Sequence, residues 1–259
     1  MKKLKKVSQI ILFTIFFLTI FLLAGCGQSS GFKLLSYNGE SSFDYRLFSP
    51  KSREKLPLVV TFHGYGDVKS ECRIASSLAS DDHQAVRACY ILAPVVEDNI
   101  YLALSERDSL YSSLKCIIDK MIESGKVDAD RIYVMGNSFG GLATVEFTEK
   151  YPELVAGAIV MCPALSYSQE STRNLSQLKN VPVWFAQATN DNVIPITTSR
   201  GAVSTLQKLG AVEVNFTEFS DAEMTAVGAA YGYHEADIAV MADDRFMEWL
   251  FDKRKSDVD

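Results

Sequence analysis

An α/β protein with a mostly parallel central sheet and helices on both of its faces is what this 259-residue sequence predicts. Three observations carry that expectation. Short runs that are apolar throughout, such as Leu154 to Met161 and Val181 to Ala188, alternate with longer stretches whose apolar residues recur at helical spacing. A strand apolar on both faces needs cover on both, which antiparallel sheets with one wet face do not. Neither an internal repeat nor a second composition regime interrupts the alternation, so the sequence predicts one catalytic-sized domain over residues 38–253, followed by a polar tail, 254–259.

Taken in order, Gln28 to Gly39 is rich in Ser and Gly and reads as a tether, with 26–37 assigned to it. Phe43 to Phe48 and Pro57 to Phe62 read as strands. Glu71 to Ala79 reads as a short helix, and Ala88 to Ala93 as a strand ended by Pro94. Ser105 to Ser124 places Leu110, Leu114, Ile117, Ile118, Met121 and Ile122 on one helical face, and Gly125 stops it. Arg131 to Met135 is a strand, followed after Gly136 by a helix to Lys150. Val212 to Phe219 repeats the strand pattern; Thr197 to Leu209 and Ala236 to Phe251 repeat the helical one.

The first residues form a separate unit. Lys2, Lys3, Lys5 and Lys6 precede an apolar run from Ile10 to Leu23, broken only by Thr14 and Thr19, with small residues at Ala24 and Gly25. That is the layout of a secretory signal, residues 1–25, and the run is short against the ~20 residues of a membrane span. Leu23-Ala24-Gly25-Cys26 resembles the lipobox of bacterial lipoproteins, which implies that Cys26 is lipidated. The expectation is a body outside the cytoplasm, held at a bacterial cell membrane.

The net charge of −6 argues against nucleic acid as a partner, and removing residues 1–25 takes four lysines and no acid, leaving −10. At 47% hydrophobic and 22% charged residues, the chain has the material for a sizeable core. Cys72, Cys89, Cys116 and Cys162 permit two disulfides in an exported protein. No C-x-x-C pair occurs, and Cys89 and Cys162 lie in apolar runs, so reduced, buried thiols are expected. With three histidines in all, no metal site and no cofactor is called for.

Gly136-Asn137-Ser138-Phe139-Gly140 is a G-x-S-x-G that falls between a strand and a helix, whereas the other match, Gly27 to Gly31, lies in the Ser/Gly-rich tether. A serine on so sharp a turn is lifted above the sheet, with the helix N-terminus beneath it; small neighbours at 136 and 140 leave it room. Ser138 is therefore the candidate nucleophile. Its base must come later in the chain in this arrangement, and His234 is the only histidine that does; His63 and His83 precede it. The orienting acid belongs on the loop after Val181 to Ala188, where Asp191 is the only carboxylate before Pro195; Glu218 and Asp221 are the runners-up. Two backbone amides must face the developing oxyanion. Phe139 supplies the first, and Tyr65, between Gly64 and Gly66, is the candidate for the second. His63 is expected to hold that loop through its ring nitrogens.

These residues resemble the α/β-hydrolase superfamily, in particular secreted esterases described as predicted peptidases, polyhydroxybutyrate-depolymerase-like or phospholipase/carboxylesterase-like. The similarity runs through Phe62 to Asp67, Asp128 to Gly141, Lys150 to Gly157, Asp191 to Pro195 and Glu248 to Phe251. Such relatives usually carry Met after the nucleophile, where this chain has Phe139, and often Trp three residues after the histidine, where it has Asp237. Both departures are expected near the acyl or alcohol pocket. The resemblance implies a serine hydrolase cleaving small-molecule carboxylic esters through an acyl-enzyme, with short or soluble acyl groups favoured because no long insertion follows Met161. The alternatives are a serine peptidase of prolyl-oligopeptidase type, for whose access-restricting propeller the chain lacks room, and a non-enzymatic binding lipoprotein on the same scaffold.

Overall fold

In the computed structural model, residues 31–66, 72–167, 175–229 and 232–257 are described. Eight strands form one sheet: β1 (Phe32–Asn38), β2 (Ser42–Phe48), β3 (Leu56–Phe62), β4 (Tyr90–Val95), β5 (Val127–Asn137), β6 (Gly157–Met161), β7 (Val183–Ala188) and β8 (Val214–Phe219). Their spatial order is β1-β2-β4-β3-β5-β6-β7-β8. From β4 to the β8 edge every pairing is parallel, while β1 and β2 are antiparallel to their neighbours.

Nine helices flank the sheet among the described residues: α1 (Arg73–Leu78), α2 (Asp81–Val86), α3 (Asp98–Leu102), α4 (Leu104–Glu123), α5 (Phe139–Lys150), α6 (Thr197–Lys208), α7 (Asp221–Ala226), α8 (Ala236–Ala242) and α9 (Asp244–Asp252). Alternate strand residues enter opposite cores, as the two-residue period of a strand requires. Val60, Val134 and Val160 join Leu110, Leu114 and Leu142 on one face, the side of α4 and α5. Val59, Tyr133 and Ile159 join Ile74, Leu78, Val240 and Phe246 on the other, the side of α1, α8 and α9. The mostly parallel sheet covered on both faces, which the alternation predicts, is observed, and it fits the α/β-hydrolase fold that the resemblance implies.

Four of the differences from expectation bear on the edges of the fold. The assigned tether is strand from Phe32 onward, pairing with β2 along its whole length from Phe32↔Phe48 to Asn38↔Ser42. Phe32, Leu34, Leu35 and Tyr37 give this stretch strand-forming side chains, but the Gly and Ser residues on either side of it dominate the composition of the whole segment. Pro94 lies inside β4 instead of ending it: the β3 pairing stops at Leu92, and only β2 continues past it. The last predicted helix is two, broken at Asp243, whose side chain caps α9 by accepting from the Arg245 amide. The polar tail is partly ordered by Ser256, which bonds Asp130 through its amide and hydroxyl.

One charged cluster lies on the α4–α5 side. Arg107 donates twice to Glu146, at 2.7 and 2.9 Å, with both side chains buried, and Tyr111 donates to the same carboxylate. Arg107 also holds the Tyr101 carbonyl at 2.6 Å. One turn later on α5, Glu149 has an oxygen shut away from solvent with no hydrogen-bond partner. Burial, reinforced by the nearby Glu146 charge, pushes its carboxyl up to about 9.

The thiols of Cys72, Cys89, Cys116 and Cys162 are free, in agreement with the reduced state expected; Cys116, on α4, is exposed and the other three are buried. No helix among the described residues is long and apolar enough to cross a membrane.

Candidate active site

The turn from β5 into α5 builds the centre of the site. Ser138 has φ 61° and ψ −120°, a left-handed conformation that an L-residue adopts only when its surroundings impose it. Two glycines make the turn possible by close approach. A Cβ at Gly136 would strike the Gly140 carbonyl, and one at Gly140 would strike the carbonyls of Phe62 and His63. Any side chain at 140 would thus wedge α5 away from the end of β3. The same approach brings the loop after β3 alongside the elbow.

His234 joins the other two residues that the sequence singles out. Its Nε2 is 2.9 Å from the Ser138 Oγ, and its Nδ1 is 3.0 and 2.9 Å from the two carboxylate oxygens of Asp191. The Asp191 side chain is fully buried, and that of His234 keeps 18% of its exposure. Asp191 is fixed from below: Oδ1 accepts from the amides of Val193 and Ile194, and Oδ2 from Gln187 Nε2. The alternative acids are occupied elsewhere, Glu218 by Arg200 and Asp221 by Asn190. The region 221–233 beside the base begins as a helix with a capping box between Ser220 and Glu223; residues 230 and 231 lie outside the described set.

The other histidines take no part. His63 is buried, its Nε2 accepting from the Val96 amide and its Nδ1–H donating to the Gly64 carbonyl, so both ring nitrogens hold the loop. His83, on α2, packs against Phe251, and burial followed by the Arg87 charge lowers it to about 4.

The amides named for the oxyanion sit on facing segments. Phe139 opens α5, where the first N–H groups have no intrahelical acceptor. Tyr65 is in the turn after β3, its ring 5.6 Å from that of Phe139, while the Gly66 amide is tied to Asp98. Asp67, at the end of this motif, lies outside the described residues.

Three positions escaped the sequence reading. Cys162, with φ 33°, directly follows β6; its Sγ lies 2.9 Å from Asn137 Oδ1 and 3.4 Å from the His234 carbonyl. Cys162, Asp191 and His234 could offer a three-ligand cluster, their ligand atoms all within 4.8 Å of one another. Burial and the Asp191 charge push the Cys162 thiol well up, and the thiol donates to Asn137 Oδ1. Gln187 links Asp191 to Ser199 and to the Ile194 carbonyl; a polar residue closing an apolar strand was its only sequence signal. Arg73 donates to both Glu235 and Asp237, fastening the segment after His234 to α1. Asp237 is accordingly buried against α1, not placed in a substrate pocket as expected. Burial raises its carboxyl even with Arg73 beside it.

Comparison with known proteins places this geometry in context. The phospholipase/carboxylesterase family profile matches residues 105–228, a span that holds Ser138 and Asp191 and stops short of His234. No curated protein matches the chain by sequence. A thermostable esterase structure is similar at 28% identity and a TM-score of 0.75, over 87% of this chain and 64% of that one. The chain therefore spans less than two thirds of that esterase's length. Est1E from Butyrivibrio proteoclasticus shares the fold at 13% identity and a TM-score of 0.61, covering 85% of this chain and 98% of its own. An acylaminoacyl peptidase from Pyrococcus horikoshii does so at 16% identity and 0.61, covering 87% of this chain and 42% of its own.

Proposed function

Because the chain belongs to the α/β-hydrolase superfamily, we propose that it is a serine hydrolase cleaving carboxylic esters, with Ser138 as nucleophile, His234 as general base and Asp191 as the acid that orients it. The observation that carries the reading is His234 standing between the two, 2.9 Å from the Ser138 Oγ through one ring nitrogen and 2.9 Å from Asp191 through the other. Ser138 attacks the ester carbonyl as its proton passes to Nε2, the Phe139 and Tyr65 amides hold the oxyanion, and the alcohol leaves with that proton. Water then hydrolyses the acyl-serine, with His234 again as base. Asp191 keeps Nδ1–H facing it, so Nε2 stays unprotonated toward the serine.

Labelling with a fluorophosphonate probe tests this. Wild type is expected to label, and Ser138→Ala and His234→Ala to lose the label; an unlabelled wild type would overturn the hydrolase assignment in favour of the binding scaffold. Matched ester and peptide-amide substrates then separate esterase from peptidase.

We also propose that the body is extracytoplasmic and tethered through a lipid on Cys26. Support comes from the Lys-rich start, the apolar run and the Leu23-Ala24-Gly25-Cys26 ending, which lie outside the described residues. Cys26→Ser is expected to shift the protein out of the membrane fraction or stall its processing; an unchanged distribution rules the lipid anchor out.

A further inference from the structure

Resting on the assignment of Ser138 as nucleophile, we propose that Tyr65, Phe139 and Tyr167 form an aromatic recognition site that selects esters carrying a flat, uncharged aromatic ring one to three bonds from the ester group. Of the large hydrophobic side chains exposed among the described residues, only two are aromatic: Tyr65, 51% exposed, and Tyr167, 66% exposed. They come from different loops, one after β3 and one after β6. Both converge on the same ring, that of Phe139, at centroid distances of 5.6 and 5.1 Å. Phe139 is the residue directly after Ser138. Two rings scattered at random over the surface would have no reason to meet beside the candidate nucleophile.

The site is also held in shape. Phe139 is nearly buried and rests on Tyr101, 5.7 Å away. Tyr101 is fully buried; its hydroxyl donates to the His63 carbonyl at 2.6 Å, and its own carbonyl is held by Arg107 from the buried Glu146 pair. The floor is thereby tied to the loop that carries Tyr65. A rigid ring floor with two tyrosine walls loses little conformational freedom when a ligand arrives, since each wall has only two side-chain torsions to fix. Interplanar angles of 41° and 46° leave the tyrosines splayed around Phe139, not stacked flat upon it. Tilted and offset arrangements of this kind accept another π face or edge favourably, because the ring quadrupoles align. A saturated ring of equal bulk gains the apolar contact and lacks the quadrupole term.

The test compares substrates that differ only in that property. Methyl 3-phenylpropionate against methyl 3-cyclohexylpropionate shares a leaving group and probes the acyl side. Benzyl acetate against cyclohexylmethyl acetate shares an acyl group and probes the alcohol side. In at least one pair, kcat/KM is expected to favour the aromatic ester by about tenfold, the scale of one to two aromatic contacts. Tyr167→Leu, which keeps apolar bulk, is expected to bring that ratio close to one, while Tyr167→Phe preserves it. A ratio near one in both pairs for wild type, or a ratio unmoved by Tyr167→Leu, overturns the proposal. Hydrolysis of p-nitrophenyl acetate separates the two failures: if it proceeds and the ratios are flat, only the aromatic site falls; if wild type neither hydrolyses it nor labels with the fluorophosphonate, the nucleophile assignment falls with it.

Discussion

Asp191→Asn is expected to lower kcat by about 10⁴ while leaving the fold in place. The reason lies in the hydrogen bonds around the carboxylate. Oδ1 accepts from the Val193 and Ile194 amides, so an asparagine there keeps its carbonyl oxygen on those donors. Its NH₂ then faces both Gln187 Nε2 and His234 Nδ1. Facing a donor, Nδ1 must become the acceptor, and the imidazole proton moves to Nε2, toward the Ser138 Oγ it is meant to deprotonate. The side chain is nearly isosteric, so the loss falls on turnover and on the rate of fluorophosphonate labelling, while the thermal midpoint moves only a few degrees. Glu218→Gln and Asp221→Asn serve as controls, since Arg200 and Asn190 hold those carboxylates away from the base. If Asp191→Asn keeps more than a tenth of wild-type turnover, the orienting acid is another residue.

The second large effect concerns stability and pH. Glu149 titrates at about 9 in the folded protein against 4.5 for an ordinary glutamate, chiefly because its carboxyl is buried. Below pH 4.5 it is protonated in both the folded and unfolded states, and pH does not distinguish them. Above 4.5 the unfolded chain gives up the proton and the folded chain does not, so stability falls as pH rises, up to about 9. At 1.36 kcal/mol per pH unit, the loss by pH 7.5 is at most about 4 kcal/mol. Glu149→Gln cannot ionise. Its stability relative to wild type, from urea unfolding at pH 4.5 and 7.5, should therefore improve by about 2–4 kcal/mol between the two. A difference that stays constant with pH would mean that the carboxylate is already ionised in the folded protein.

How much could be read in advance depended on the range of the interactions. The central parallel strands β3, β4, β6 and β7 were legible because burial on both faces forces them to be largely apolar. The Ser138, Asp191 and His234 trio was legible because chain order left one candidate for the base and one carboxylate on the right loop. The edge strand β1 was not, since half of its side chains face water and the Gly- and Ser-rich residues on both sides of it masked its own Phe, Leu and Tyr. The start of α7 carried a signal that went unused, the Ser220-x-x-Glu223 capping pair. Arg73, Cys162 and Tyr167 were beyond reach for a different reason. Arg73 meets Asp237 across 164 positions of sequence, and Tyr167 meets Phe139 only once β5 and β6 lie side by side. Such contacts have no local pattern to announce them.

The early start of β1 sets a leash. Strand pairing begins at Phe32, opposite Phe48, only six residues beyond Cys26. Six residues span at most about 20 Å even when fully extended. A domain of roughly 220 residues has a radius of gyration of about 17 Å, and so a diameter well above that reach. With the lipid at Cys26, as proposed, the body cannot rise from the bilayer by its own width. The gap beneath it would be narrower than the body itself, too narrow for another globular domain of its size to enter.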